Sequence, residues 1–288
     1  MEAKDRVRSM LADGFERNLF EAALQNLNDA NNPLRFNNFA YAARELARHV
    51  LHRLGPDSQI LKCSWYRNET RKENVVSRRE RAYFAVQGGL ADTFVDGILK
   101  LSTNEIHTAL IHAITELNRF THIEPKTFDI PETAINSLVD ETVEAVANLF
   151  DTIEDCRSRI IERLSEHIDS EVVAQTMSDT IQAIDELATH HFIDEVYVDE
   201  IQITSIGHET VRFDVSGTIG CILQWGSNSD VRKGDGAELS QSFPFSCKMF
   251  SPVAMPSAIQ TESNSLEIDT SAWRKKMQDE APDFDDDY

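Results

Sequence analysis

An arginine and a histidine on one predicted helix have the chemistry to cleave a phosphodiester bond without a metal ion. Arg44 and His49 are separated by four residues in the run Arg-Glu-Leu-Ala-Arg-His. A histidine can move a proton to or from a ribose 2′-hydroxyl or a leaving oxygen near neutral pH, and an arginine can hold the phosphate. The alternative is a solvated face, because five residues of helix turn the two side chains partly apart. That face would consist of Arg44, Arg48, His49, His52 and Arg53.

A second arginine and histidine pair ends a later predicted helix. Arg119 and His122 belong to the run Leu-Asn-Arg-Phe-Thr-His, and only two residues separate them. Their spacing therefore differs from that of Arg44 and His49. We take all four side chains as candidate catalytic residues, provided that the fold brings the two helices together. The reaction that they favour is RNA cleavage by acid–base chemistry, which needs no cofactor.

A glycine-rich loop of mixed charge follows a predicted strand in the C-terminal part. It lies between Leu223 and Phe245. Glycine lets a backbone fold closely around a ligand, but the same composition is typical of a tight solvated turn. We expect this loop to be ordered and to face a groove. Asp230, Asp235 and Glu238 form an alternative acidic site, in which a divalent metal ion would be required for DNA cleavage.

The connector between the second and third predicted helices reverses the sign of the charge locally. Its candidate nucleic-acid-binding residues are Arg71, Lys72, Arg78, Arg79 and Arg81. Trp65 and Tyr83 are interspersed with them. Cations neutralise phosphates, and aromatic rings can stack on exposed bases. We expect the five basic residues to share one exposed surface, although they could instead pair with acidic helices of the same chain.

Apolar residues recur at helical spacing through residues 1–131. They predict helices at Phe15–Leu27, Leu34–Leu54, Arg79–Leu101 and Asn104–Phe120, with an interruption of the third near Gly88-Gly89. Proline and glycine residues separate these segments. The region is therefore predicted to be an all-α bundle.

Two long helices and then a sheet are predicted after the bundle. Residues 131–168 and 170–190 lack internal glycine and proline, and Ser170 is a plausible N-cap, so an antiparallel helical hairpin is expected. Its apolar stripe could pack internally or form a homodimer surface. From Phe192 the pattern alternates, which predicts a small, mostly antiparallel sheet and an α+β fold. The predicted domains are 1–131, 132–191 and 192–277, followed by a disordered acidic tail at 278–288.

Composition limits the possible partners. The formal net charge of −21 over 288 residues means that nucleic acid must bind through a local basic patch. The four cysteines are far apart and lack metal-ligand spacing, which favours reduced thiols in a cytosolic protein. Neither a signal-peptide core nor a membrane-spanning run is present. We therefore expect a cytoplasmic protein that has no contact with membrane.

Two segments resemble the family of predicted prokaryotic-Piwi-associating nucleases. They read IDELATHHFIDEVYVDEIQI (Ile184–Ile203) and LQWGSNSDVRKGDGAELSQSFPF (Leu223–Phe245). The N-terminal half resembles HEPN domains more loosely, through its Ala-Arg-Glu-Leu helix, basic connector and final helix ending in histidine. The four-residue gap between Arg44 and His49 is the spacing of metal-independent HEPN ribonucleases.

The resemblance implies a nuclease of a prokaryotic anti-phage defence system with an Argonaute- or Piwi-type partner. Together with the residues, it favours cleavage of nucleic acid, and of RNA in particular, by arginine and histidine. One alternative is a non-catalytic sensor or adaptor that binds a ligand or partner through the β domain. The second alternative is the metal-dependent DNase that would use the acidic loop.

Overall fold

The computed structural model describes residues 2–100, 130–178 and 182–279, together with residues 108, 111, 112, 115, 123–125 and 128. Helices form the N-terminal part and an antiparallel sheet forms the C-terminal part, which confirms the predicted α+β class. Two compact units divide the chain. The helical unit comprises Met1–Ile160 with Ile206–Glu209, and the sheet unit comprises Ile161–Ser205 with Thr210–Tyr288. The predicted domain boundaries, at residues 131/132 and 191/192, stay a prediction.

Short and medium helices build the helical unit where the apolar periodicity places them. In chain order they are α1 Ala3–Met10, α2 Phe15–Asn26, α3 Arg35–Leu54, α4 Asp57–Ile60, α5 Arg78–Gln87 and α6 Asp92–Val95. The longest of these, α3, buries Phe36, Phe39, Ala43 and Val50 at spacings of three, four and seven residues. The predicted helix at Asn104–Phe120 lies outside the described residues.

Helix α5 is shorter than the sequence pattern suggests. It starts with a capping box in which the Ser77 hydroxyl accepts the Glu80 N–H and the Glu80 carboxylate accepts the Ser77 N–H. It ends where Gly88 has a φ of 57°, a conformation that suits glycine and stops a helix. The predicted interruption at Gly88-Gly89 is therefore confirmed, and only the short helix α6 follows within the described residues up to Lys100.

The corner at Gly88-Gly89 receives the turn between the first two strands, whose residues 206–209 belong to the helical unit. The Gly89 N–H donates a hydrogen bond of 2.9 Å to the Gly207 carbonyl. A Cβ atom on Gly88 would lie 2.5 Å from the Ile206 carbonyl oxygen. Glycine is thus required here because any side chain would overlap the turn.

One continuous helix replaces the predicted helical hairpin. Helix α7 runs from Glu132 to Ser178 over 47 residues, so the predicted break near residue 169 is wrong. The Ser170 hydroxyl donates to the Glu166 carbonyl at 2.7 Å, which is a bond made inside a helix rather than an N-cap. Burial at Ile160, Leu164, Ile168 and Val172 continues past the expected break. The uninterrupted apolar stripe therefore outweighs the capping preference of serine.

The sheet unit is a meander of three long strands with two short additions. The strands are β1 His190–Ile206, β2 Thr210–Trp225, β3 Ala237–Pro252, β4 Gln260–Thr261 and β5 Glu267–Ile268. Their order is β1-β2-β3-β4, and β5 also pairs with β3. The predicted antiparallel arrangement is confirmed. Three further helices are α8 Gln182–Asp185, α9 Asn228–Lys233 and α10 Ser271–Asp279.

Alternation along β2 and β3 separates a buried face from a polar face. Phe213 lies opposite Met249 and both are buried, whereas Asp214 lies opposite Lys248 and both are exposed. Successive side chains point to opposite faces of a strand, so one face packs and the other meets solvent. Among the described helices, none combines the length and apolar character that crossing a bilayer requires.

Replacing Gly88 by alanine is expected to destabilise the protein through two separable effects. The positive φ costs about 1–2 kcal/mol for an L-residue, and overlap with the Ile206 carbonyl adds about 1–3 kcal/mol. Gly14→Ala is the matched control, because Gly14 has a φ of 84° but open space around its Cα. Urea unfolding followed by circular dichroism measures both variants. Equal losses of unfolding free energy would contradict tight packing of the turn at this corner.

Candidate functional site

Helix α3 carries Arg44 and His49, but the structure gives them different neighbours. The Arg44 guanidinium donates to Glu45 Oε1 at 2.8 Å and lies over the Tyr41 ring at 5.0 Å. The His49 Nε2 atom lies 3.7 Å from Glu16 Oε1, and half of the His49 side chain is exposed. Among the contacts of the described residues, Arg44 meets Glu45 and Tyr41, whereas His49 meets Glu16. Their spacing of five positions explains the divergence, because it rotates one side chain well away from the other.

His49 instead shares a buried carboxylate with Arg53. Glu16 is 2% exposed, and Arg53 holds it through Nε to Oε1 at 2.7 Å and Nη2 to Oε2 at 2.9 Å. The Ala12 N–H donates a further bond of 2.9 Å to Oε2. His49 and Arg53 are four positions apart and so lie on the same side of α3. We call Glu16, His49 and Arg53 the α2–α3 cluster.

Opposing effects set the pKa of Glu16. Burial acts to raise it, but the hydrogen bonds from Arg53 and Ala12 and the charges of Arg53 and His49 together hold the pKa of Glu16 below its ordinary value. The carboxylate is therefore ionised at neutral pH and fixed by three hydrogen bonds. An anion held in this way can orient the neighbouring imidazole, because a carboxylate next to one ring nitrogen of a histidine commonly sets the orientation of the ring.

Sequence reasoning missed Glu16 and gave Arg53 only a place in a solvated face. A signal for Glu16 was present, because it occupies the same stripe of α2 as the buried residues Phe20 and Ala23, at positions i, i+4 and i+7. A carboxylate on an apolar stripe needs a cationic partner. The identity of that partner follows only from the packing of α2 on α3. Arg119 and His122 lie outside the described residues.

The basic connector is exposed at four of its five candidate residues. Arg71, Lys72, Arg78 and Arg79 are exposed, whereas Arg81 is 6% exposed. Arg81 Nη1 donates to the Gly55 carbonyl at 2.8 Å and also pairs with Asp57. The expectation of one surface with all five is therefore wrong for Arg81. A cation is favourable at Gly55 because α3 ends there with unpaired carbonyl groups.

Local contacts hold the start of the connector against α5. The Ser77 hydroxyl donates to Glu69 at 2.9 Å, and the Glu69 N–H donates to Glu80 at 3.3 Å. Arg79 lies 3.8 Å from Glu69 and 5.6 Å from the centre of the Tyr83 ring. Pairing within the chain thus accounts for part of the charge, as the alternative interpretation expects. Arg71, Lys72 and Arg78 are exposed, and their binding to nucleic acid stays a prediction.

The acidic loop is an ordered helical turn. Asp230 Oδ2 accepts the Ser227 N–H at 2.9 Å and the Ser227 hydroxyl at 2.7 Å, and these bonds lower the pKa of Asp230. The bond from the Ser227 N–H, together with one of 3.3 Å from the Asp230 N–H to the Ser227 hydroxyl, forms a capping box at the start of α9. Asp235 and Glu238 are exposed. Among the residues that the structure describes, no group of three or more His, Cys, Asp or Glu side chains has the arrangement of a metal site.

An unpredicted groove lies on the polar face of the sheet. Its volume is about 520 Å³. Its charged lining residues are Glu200, Asp214, Lys248 and Glu267, with Gln202, Ser246, Asn264 and Ser265 between them. The alternating pattern of β2 and β3 indicates that Asp214 and Lys248 face solvent, but the sequence does not show that β1 and residues 264–267 form walls on either side.

Comparisons with known proteins gave two matches, one in each half of the chain. A family model described as "Predicted pPIWI-associating nuclease" matches residues 8–146, and a second model with the same description matches residues 153–274. The similarity noted in the C-terminal part thus extends to the N-terminal part. Comparison with curated proteins found no match, and comparison with solved structures found none either.

Replacing Glu16 by glutamine is expected to lower the unfolding free energy at pH 7 by about 2–3 kcal/mol, because Arg53 loses a charged hydrogen-bond partner. A carboxyl group with a lowered folded pKa stabilises the protein above its ordinary value of 4.5 and loses that contribution as pH falls through the lowered value. The difference between wild type and Glu16→Gln should therefore shrink as the pH is taken below 4.5.

Glu21→Gln is the control for this experiment. Glu21 is also on α2, but about 40% of each side chain in its ion pair with Arg8 is exposed, and pairs near the surface contribute about 1 kcal/mol or less. Urea unfolding between pH 3 and 7 provides the free energies. A stability difference between wild type and Glu16→Gln that stays constant with pH would contradict the ionised, clamped state of Glu16.

Proposed function

The chain belongs to the predicted pPIWI-associating nucleases, and we propose that it cleaves RNA by metal-independent acid–base chemistry at His49. The family description supports a nuclease that works with a Piwi-type protein, and we place that pair in prokaryotic anti-phage defence. The helical unit is taken as HEPN-like in this proposal. The substrate is RNA because the proposed chemistry uses the ribose 2′-hydroxyl as nucleophile.

One observation carries the proposal: an accessible imidazole lies against a clamped carboxylate. Half of the His49 side chain is exposed, while Glu16 beside it is buried and fixed by Arg53. With His49 Nε2 directed at Glu16, Nδ1 is the ring nitrogen that would exchange a proton with substrate. The separation of 3.7 Å is longer than a hydrogen bond, and catalytic contacts of this kind commonly tighten when substrate binds.

Arg44 and Arg48, on the same helix as His49, supply the positive charge that the phosphate needs in this proposal. Both donate to one carboxylate, that of Glu45, at 2.8 and 2.9 Å. Two guanidinium groups thus lie together on α3. A phosphate can therefore replace or add to Glu45 as a partner, and the guanidinium fork suits its geometry. Arg119 and His122 remain proposed members of the site, and Arg71, Lys72, Arg78 and Arg79 are the proposed flanking contacts.

Replacing His49 by alanine is expected to reduce cleavage of single-stranded RNA at least 100-fold, which is the usual minimum contribution of a general acid or base. EDTA should leave the wild-type rate unchanged, and a 2′-deoxy nucleotide at the cleaved position should block the reaction. Gel assays with end-labelled RNA measure these rates. The matched control is His190→Ala, because His190 is an exposed histidine of the sheet unit.

Other outcomes separate the alternatives. Cleavage that requires a divalent ion and is lost in the double variant Asp230→Asn with Asp235→Asn would replace this proposal with a metal-dependent DNase or RNase. Full cleavage by His49→Ala would exclude His49 as the acid or base. Wild-type protein that cleaves neither RNA nor DNA, with metal or EDTA and with the partner present, would leave the adaptor function.

The groove on the sheet favours that adaptor function as a second candidate. A concave surface of about 520 Å³ lined by polar side chains on three neighbouring strands is of the size that small-molecule sites have. In this function the sheet unit would bind a ligand or a partner segment, and the helical unit would carry the response. Lys248→Glu should then weaken binding of the ligand or partner segment to the sheet unit, because it reverses the charge of a residue that lines the groove.

A further inference from the structure

Two exposed aromatic rings lie on helices α2 and α3, and one of them contacts His49. Phe15 is the first residue of α2, and 60% of it is exposed. Its ring meets the His49 imidazole at an interplanar angle of 63°, with the ring centres 4.9 Å apart. Phenylalanine contributes most when its ring is buried, so an exposed ring in contact with a candidate catalytic imidazole has an open area for a further partner.

Tyr41 is a second exposed ring, and it lies on the same helix as His49. It is 54% exposed and lies on α3, eight residues before His49, which corresponds to about 12 Å along the helix axis. The Arg44 guanidinium lies over the ring at 5.0 Å from its centre. A cation over an aromatic ring positions both groups. Tyr41 and Arg44 therefore present an aromatic surface and a phosphate-binding cation side by side.

Aromatic rings and cations in this arrangement fit an unpaired nucleic-acid strand. Bases stack on aromatic side chains, while arginines contact the phosphates between them. In a duplex the faces of the bases are covered by their neighbours in the stack, and proteins bind it through the backbone and grooves. Phe15 and Tyr41 can therefore contribute to binding only when the bases are free.

We propose that Phe15 and Tyr41 are stacking platforms that make the His49 surface specific for single-stranded RNA. The inference rests on the proposed function, because both assign the exposed part of α3 to RNA. Phe15 receives the base next to the ribose that His49 acts on, and Tyr41 receives a base further along the strand. Arg44 and Arg48 hold the intervening backbone. The two rings are positioning residues, since they contact bases rather than reacting atoms.

The test measures binding separately from cleavage. A fluorescent single-stranded RNA with 2′-O-methyl groups is used, because the blocked hydroxyl cannot act as nucleophile. Its affinity for the full chain is measured by fluorescence anisotropy, and the same strand annealed to its complement is the duplex probe. Phe15→Leu and Tyr41→Leu keep apolar bulk but remove the aromatic faces. The controls are Phe192→Leu and Tyr197→Leu, whose rings on β1 are 52% and 56% exposed.

Each variant on the His49 surface is expected to weaken single-strand binding by about 5- to 150-fold, which corresponds to about 1–3 kcal/mol per stacked base. Duplex binding should be weaker than single-strand binding in wild type and should not change in the variants. The β1 controls should bind like wild type. Thermal unfolding identifies any variant that fails to fold. If Tyr41→Leu does not fold, Tyr41→Phe takes its place; it retains the aromatic face and should bind like wild type.

Several results would overturn the inference. These are unchanged single-strand affinity in both folded variants, equal affinity for duplex and single strand in wild type, or a change from dimer to monomer in Phe15→Leu by sedimentation. The outcome is distinguishable from that of the cleavage proposal. Cleavage that depends on His49 but not on the rings would leave that proposal standing, whereas ring-dependent binding without cleavage would retain only the binding site.

Discussion

The ion pair between the buried carboxylate of Glu16 and Arg53 is the contact on which the candidate surface depends. An ionised carboxylate that is 2% exposed would be strongly destabilising without a partner, so α2 must pack where Arg53 of α3 can reach it. The same contact brings Phe15, the preceding residue, against His49. One electrostatic requirement thus sets the register between the two helices. It also determines which groups surround the imidazole.

A buried cation fixes the end of helix α3. Arg81 of α5 donates to the Gly55 carbonyl, where α3 ends, and the next part of α5 leads to the corner at Gly88 and Gly89. That corner admits the turn at residues 206–209 because it lacks side chains. The buried polar groups Glu16 and Arg81 therefore have structural roles, whereas His49, the proposed acid–base residue, is half exposed. A substitution at Arg81 or Gly88 that destabilises the fold would lower any activity without showing that either residue takes part in catalysis.

Several sequence-based interpretations failed for a shared physical reason, which is that a local preference was outweighed by long-range packing. Ser170 is a good N-cap, yet it lies inside α7 because the apolar stripe continues through it. Arg81 belongs to a basic run, yet it is buried because a helix end provides carbonyl partners. Propensity describes a residue and its neighbours in sequence, whereas the Gly55 partner of Arg81 is 26 positions away.

By itself the sequence determined the α+β class, the approximate bounds of α2 and α3, the break at Gly88, and the antiparallel strands, because periodicity and glycine positions are local properties of the chain. It also indicated the family, through blocks of residues in the sheet region. Only the tertiary structure decided that His49 faces Glu16 rather than Arg44. That choice depends on how two helices separated in sequence pack together, and the burial of one carboxylate, which no local pattern specifies, fixes it.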